Sequence, residues 1–393
     1  MPSTAAPEEI LNHLSAREDD ILDLCGELVS IESPSPEARA TRRVLERLTP
    51  ELDGLGYEAR LSEPGNSGGY LYARPTARPR HAPTQLLLGH VDTVWPIGTL
   101  SARPWNVDDG VARGPGVFDM KAGVVQILFA LRALQDLGVD PPAPRLVLTN
   151  RDVEIGSRES TRAIDRMSRV VDRAFVCEPG LGSSGAMKTA RKGLAKYTVT
   201  VHGRAAHAGL DPEAGASAIL ELSSVIQRLF DLTDRERDIT VNVGTIEGGI
   251  QANVIAPRSQ AVVDVRVLTA EDAERVDTAI RTLEPETPGT SITVSGGFGR
   301  PPMVRSERNA ALFERARRIG TSLGMDLREV TAGGGSDGNT TSQHTATLDG
   351  LGIIGDGAHA PSERIDLSSL APRTALLAAL MMEPVDDQPG RET

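Results

Sequence analysis

The chain is poor in several groups whose scarcity narrows its function. Only two cysteines, Cys25 and Cys177, occur in 393 residues, so neither a disulfide framework nor a cysteine-rich zinc site can be built from them. Aromatic residues make up 3%, too few to stack successive bases or sugars. Basic residues are outnumbered, giving a formal net charge of −12 with no basic run. That excludes nucleic acid and anionic membrane surfaces as expected partners. No apolar run reaches membrane-spanning length, and the opening MPSTAAPEEI lacks the basic-then-apolar pattern of a secretory leader. A cytoplasmic protein is expected.

Hydrophobic residues at 39% suffice for proper cores, and the length suggests two or three domains. Glu8 to Ile31 has helical apolar spacing, ended by Ser-Pro-Ser-Pro at 33–36, and a second helix is expected over Ala38 to Leu55. After a Gly/Pro-rich hairpin-like stretch, Leu86-Leu87-Leu88 opens a buried strand running into Gly89, His90 and Asp92. A turn-rich loop, Arg113 to Asp119, leads into an apolar helix from Gly123 to Leu137. Strands follow at Arg145–Asn150 and Arg173–Cys177, separated by a helix over Thr161–Asp172. Alternation of this kind predicts an α/β layer with a mostly parallel sheet flanked by helices.

From Gly193 the pattern changes. Strands at 194–203, 239–246, 261–268 and 291–295, with helices over Gly215–Leu232 and Glu271–Leu283, give the order β-α-β-β-α-β of a ferredoxin-like α+β sandwich. The expectation is a discontinuous domain, 1–190 and 303–393, with an insert at 191–302. Helices are expected over Asn309–Leu323 and Leu367–Met381, and a disordered tail from Glu383.

Acidic residues and histidines recur where apolar strands stop. On extended chain His90 and Asp92 share a face, and a carboxylate beside an imidazole fixes its tautomer for metal binding. Asp119, Glu154, Glu178 and His359 also sit at strand ends or in Gly-rich loops, where α/β sheets place ligands. Two imidazoles and three carboxylates suit zinc, cobalt or manganese. Five donors exceed a mononuclear site, and one bridging carboxylate would serve two ions.

The ordered set GHVDTV, GPGVFDMKAG, DVEIGS, CEPG, HGRAAHAG, QANVIAP, GGGSDGN and GDGAHAPSE resembles the M20 metallopeptidases, in particular their carboxypeptidase G2 and acetylornithine deacetylase branch. The resemblance implies a dinuclear metal-dependent enzyme acting on the amide bond of a carboxylate-bearing N-acyl amino acid or small peptide. It implies His90 and Glu178 on one ion, Glu154 and His359 on the other, Asp119 bridging, and Asp92 orienting His90. It further implies that the insert serves as lid and dimerisation domain. His207 would then act on the active site of the partner subunit in a homodimer, while Asn253 and Arg266, with Gly334 and Ser336 of the 333–339 loop, bind substrate. Arg191 and Lys192 flank the domain junction. His81, His202 and His344 match no role, and Phe118 and Met120 read as packing groups.

One position departs from the pattern. The family has Asp-Glu-Glu where this chain has Asp152-Val153-Glu154. The first glutamate of that motif is the general base, and Val153 cannot transfer a proton. Three explanations follow: a metal-binding relative that hydrolyses poorly or only binds ligand, a non-hydrolytic reaction (condensation, cyclisation or elimination) on the same site, or a substitute base among Asp152, Glu159 and Glu363 or an engineered inactivating change. Asp152 is disfavoured, since neighbours on extended chain point to opposite sides.

Overall fold

The computed structural model describes residues 5–62, 69–77 and 82–385; His81 lies outside them. The chain divides into two compact units, one comprising Met1–Thr189, Arg305–Ala332 and Ser336–Thr393, the other Ala190–Val304 with Gly333–Gly335.

The first unit is built on a six-stranded mixed sheet. Its middle is the strand Gln85–His90, parallel on one side to Arg145–Asn150 and on the other to Arg173–Val176. Ala346–Leu348 extends the sheet in parallel beyond Arg173–Val176, while Tyr57–Leu61 and Tyr70–Pro75 form an antiparallel hairpin at the far edge. The register aligns His90 with Asn150 and Leu88 with Val176. The segments carrying His90, Glu154 and Glu178 therefore leave the sheet at the same carboxyl edge, where α/β sheets form their sites.

Two helices seal this sheet. Ala122–Asp136 is buried through most of its length, and so is Leu370–Met382. Both are apolar nearly all round, as a helix enclosed by other elements must be. Each leucine they bury is worth roughly 1.5–3 kcal/mol relative to exposure. The first turn of Ala122–Asp136 comes so close to the sheet that a Cβ on Gly123 would lie 2.1 Å from the carbonyl oxygen of Cys177. Only glycine fits there, one residue before Glu178.

The spacing of Glu8–Ile31 predicts one helix, but the chain forms two, Pro7–Ser15 and Glu18–Val29. Arg17, between them, leaves helical geometry and pairs with Asp20 at 2.6 Å and Asp136 at 3.1 Å. Similarly, the helix from Thr161 stops at Ser168, and beyond it the Asp172 carboxylate accepts the Thr84 amide at 2.6 Å. The start of the expected tail is ordered by the Arg173 guanidinium, which donates to the carbonyls of Glu383 and Pro384 at 2.7 and 3.2 Å. Residues 386–393 lie outside those described.

A small four-stranded sheet, ordered Gly355–Asp356, Arg364–Asp366, Val111–Arg113 and Asn106–Asp108, is absent from the sequence reading. Its pairing of Arg364 with Arg113 sets the residue before Arg364 beside the glycine loop that precedes Asp119.

The second unit carries a four-stranded antiparallel sheet in the spatial order Thr240–Gly248, Arg258–Val267, Gly193–His202, Ser291–Arg300. Helices Ala218–Phe230 and Ala270–Arg281 complete the order β-α-β-β-α-β. Inward residues Tyr197, Val199, Val263, Val265, Val225 and Ile280 form its separate core.

Candidate active site

Five side chains, one from the end of a strand and four from separate loops of the first unit, converge at the sheet's carboxyl edge. The ligating atoms of His90, Asp119 and Glu154 all lie within 4.8 Å of one another. His90 Nε2 stands 3.1 Å from Asp119 Oδ1 and 3.6 Å from Glu178 Oε1. His359 Nε2 stands 3.3 Å from Asp119 Oδ2 and 2.9 Å from Glu154 Oε1. Asp119 thus turns one oxygen to each imidazole, the disposition a carboxylate shared by two cations requires.

The other face of His90 is held by Asp92. Its Nδ1 lies 3.1 Å from the Asp92 carbonyl and 3.2 Å from Asp92 Oδ1. With an Nδ1 proton directed at Asp92, Nε2 faces the cluster, where a bound cation would take its lone pair. The buried Asp92 carboxylate also accepts the Ser35 hydroxyl at 2.7 Å and the amides of Val153 and Glu154 at 3.2 and 3.1 Å. One carboxylate therefore fixes both the imidazole and the backbone that presents Glu154.

The electrostatics show a surplus of negative charge. The carboxylates of Asp119 and Glu154 push the His359 pKa up to about 10, against a smaller opposing effect of burial. Burial opposes charge on His90, yet the carboxylates of Asp119 and Asp92 raise its pKa well above the ordinary imidazole value. Burial raises the Glu154 carboxyl. Carboxylates that draw protons onto two imidazoles suit divalent cations, which would displace those protons.

The loop carrying Asp119 is clamped from two sides. Lys121 is fully buried and donates to the carbonyls of Leu28 and Ile31 at 2.9 and 2.8 Å. Burial pulls its ammonium down to about 7. Glu363 accepts from the Trp95 indole and from the backbone amides of Gly116, Phe118 and Asp119; burial raises its carboxyl and these donors oppose that. Phe118 and Met120 pack in the core beneath. His359 takes a left-handed backbone, with φ +61°, a conformation in which histidine is enriched among non-glycine residues.

Val153 opens a short turn, Val153–Ile155, and its side chain is partly exposed. Asp152 beside it is buried and caps the following segment, accepting from Ser160 Oγ at 2.6 Å and from the Glu159 amide at 2.8 Å.

The remaining named residues divide as follows. In the second unit, His207 bridges to Val254, and the Ala208 amide donates to the Asn253 carbonyl at 3.0 Å, so His207 and Asn253 are neighbours. Arg266 pairs with Asp264 at 2.9 Å and donates to the Gly333 carbonyl at 3.0 Å, while Arg191 donates to the Gly334 carbonyl at 3.0 Å. Lys192 binds Asp238 at 2.7 Å. In the first unit, Ser336 is buried, with its hydroxyl donating to Asp349 and accepting the Gly338 amide. His202 meets Thr293 at 3.1 Å and His344 meets Asp165 at 2.8 Å. Ser35, Lys121 and Trp95 also contribute to holding the site, and no motif in the sequence marks Ser35 or Trp95. A lysine inside DMKAG, flanked by apolar residues, was the one available signal.

An α/β sheet with carboxylates and imidazoles gathered at its carboxyl edge defines a metal-dependent hydrolase class of site. The family model of Peptidase family M20/M25/M40 matches residues 86–383. Carboxypeptidase G2 of Pseudomonas sp. (strain RS-16) is 29% identical over 370 residues, covering 91% of this chain and 87% of that protein. Succinyl-diaminopimelate desuccinylase of Rhodospirillum centenum is 26% identical over 391 residues, covering 92% and 96%. The aminopeptidase PepT structure from Bacillus cereus superposes with a TM-score of 0.78 at 24% identity, covering 93% of this chain and 98% of that one. The chain belongs to the M20/M25/M40 peptidase family and is an enzyme of the metallopeptidase and amidohydrolase type. Among the described residues no helix is long and apolar enough to cross a membrane.

Proposed function

We propose that this enzyme binds a carboxylate-bearing N-acyl amino acid or small peptide at a two-ion site, and that its amide hydrolysis is weakened at Val153. The observation that carries the reading is a five-donor cluster with an aliphatic side chain in the residue before Glu154.

In this reading His90 and Glu178 hold one divalent ion, Glu154 and His359 hold the other, and Asp119 serves both. Zinc suits the donor set, with cobalt or manganese as alternatives. Such ions supply positive charge that polarises a substrate carbonyl. Asp92 fixes the His90 tautomer. Asn253, Arg266 and the loop containing Gly334 and Ser336 bind substrate, with the Arg266 guanidinium matched to a carboxylate. His207 is offered to the site of a second copy. This makes 1–190 and 303–393 the catalytic domain and 191–302 a lid and dimerisation domain in a homodimer. Two free, buried cysteines accord with a cytoplasmic location.

Two of the three candidate substitute bases, Asp152 and Glu363, are already engaged as hydrogen-bond acceptors, which supports this reading. Asp152 spends its oxygens on Ser160 and Glu159, and Glu363 spends both of its own on four N–H donors. The same observation favours a second reading, in which polarised substrates undergo condensation, cyclisation or elimination with no water activated.

Incubation of the metal-loaded chain with acylated and free amino acids, read by mass, separates the readings. The proposal expects two ions per chain and little acyl loss. Loss of water or a joined product supports the second reading, binding without any mass change makes the chain a ligand-binding pseudoenzyme, and vigorous acyl loss contradicts the proposal.

A further inference from the structure

We propose that Glu363 is a positioning residue whose ionised carboxylate fixes Asp119 between the two candidate ion sites, and that no neutral side chain can replace it. This rests on the proposed reading of Asp119 as the shared ligand.

Glu363 is 3% exposed, and four donors meet on it. Oε2 accepts the Trp95 indole N–H at 2.8 Å and the Gly116 amide at 2.9 Å. Oε1 accepts the amides of Phe118 and Asp119 at 3.0 and 3.2 Å. The donors come from the loop that follows His90 and from the loop that carries Asp119, while Glu363 itself lies four residues after His359. One carboxylate thus ties together the three segments that present His90, Asp119 and His359. Gly116 permits the convergence: its φ is +73°, and a Cβ there would lie 2.3 Å from Thr93 Cγ2.

The polarity is one-sided. Backbone amides and indole nitrogens only donate, so each edge of residue 363 must offer an acceptor twice over. A glutamine of the same size would turn its NH2 toward two N–H donors, leaving them buried and unpaired. Glu363→Gln is therefore a disruptive change, although it is isosteric. An acid–base role would behave differently, since glutamine would then remove turnover and leave the ion sites intact.

The test is cobalt binding to the purified full chain, followed by calorimetry and by visible absorption, with circular dichroism to verify folding. Wild type is expected to take up two Co²⁺. Glu363→Gln is expected to lose about 10–100-fold in affinity for at least one ion, the usual effect of losing an outer partner of a ligand, with an altered cobalt absorption band. Trp95→Phe, which removes one donor and no acceptor, should keep both ions. If the glutamine chain does not fold, Glu363→Asp, charged but one methylene shorter, carries the same expectation. Wild-type affinity and absorption in the folded variant overturn the inference alone. A wild type that takes up fewer than two ions overturns it together with the two-ion reading.

Discussion

Asp92 and Val153 are joined directly: the Asp92 carboxylate accepts the Val153 amide at 3.2 Å while its next contact, at 3.1 Å, is the Glu154 amide. The backbone at Val153 is thus tied to the residue that steadies His90. The position is held in place although its side chain has no proton to move.

Asp92→Asn should disturb that arrangement at both ends. An amide in place of the carboxylate offers one acceptor oxygen for the Ser35, Val153 and Glu154 donors and no longer suits the His90 Nδ1–H. Metal affinity is expected to fall about 10–100-fold, and stability by roughly 1–3 kcal/mol for buried donors left unpaired. Calorimetric metal titration and urea unfolding check the two effects.

Gly123→Ala should destabilise the first unit by about 1–3 kcal/mol or more, since the added methyl meets a backbone oxygen that cannot step aside. Gly54→Ala is the control. It lies near the end of a helix with nothing within 4 Å of the added Cβ, so it should be neutral or stabilising by up to roughly 1 kcal/mol. Urea midpoints of the two variants read the contrast.

The second unit should show an acid dependence through Glu221. Burial raises its carboxyl, but the amides of Thr287 and Glu286 and the Arg228 guanidinium outweigh that and lower the folded pKa below 4.5. A depressed carboxyl contributes its full stability above the unfolded pKa and loses it as pH falls through the folded value. Wild type should therefore lose more stability than Glu221→Gln on acidification below about pH 4.5, as measured by thermal melts across that window.

Chelation should lower the melting temperature, because ions bound only by the folded chain stabilise it by mass action. Re-addition of Zn²⁺ or Co²⁺ should restore it. A double variant, His90→Ala with His359→Ala, should show neither response. Thermal melts with and without chelator decide it.

Much of the architecture was legible because the pattern changes period with the element. Leu86–Leu88 and Arg145–Asn150 read as buried strands, and Ala195–Val201 as an alternating one, because packing on one or both faces fixes which residues can occur. The three-residue strands around Val111–Arg113 and Arg364–Asp366 left no such trace, being too short for alternation to register. The strand Ser291–Arg300 runs on through Gly296 and Gly297, where sequence suggests a stop, since pairing with Gly193–His202 supplies the backbone bonds. The donor residues of the site were legible from their place at strand ends. What holds them was not: Glu363 meets partners 244 to 268 positions away and Ser35 meets Asp92 across 57, separations at which a single sequence carries no pairing information.

The central claim is that the donor cluster is complete and the base is missing. Steady-state hydrolysis of an N-acyl amino acid panel by metal-loaded wild type and Val153→Glu, side by side, tests it most directly. The account predicts that glutamate raises kcat/KM by about 10²–10⁴-fold, the usual contribution of a positioned base, with metal content unchanged at two ions per chain. A wild type that already hydrolyses the panel briskly, and gains nothing from the substitution, would contradict it.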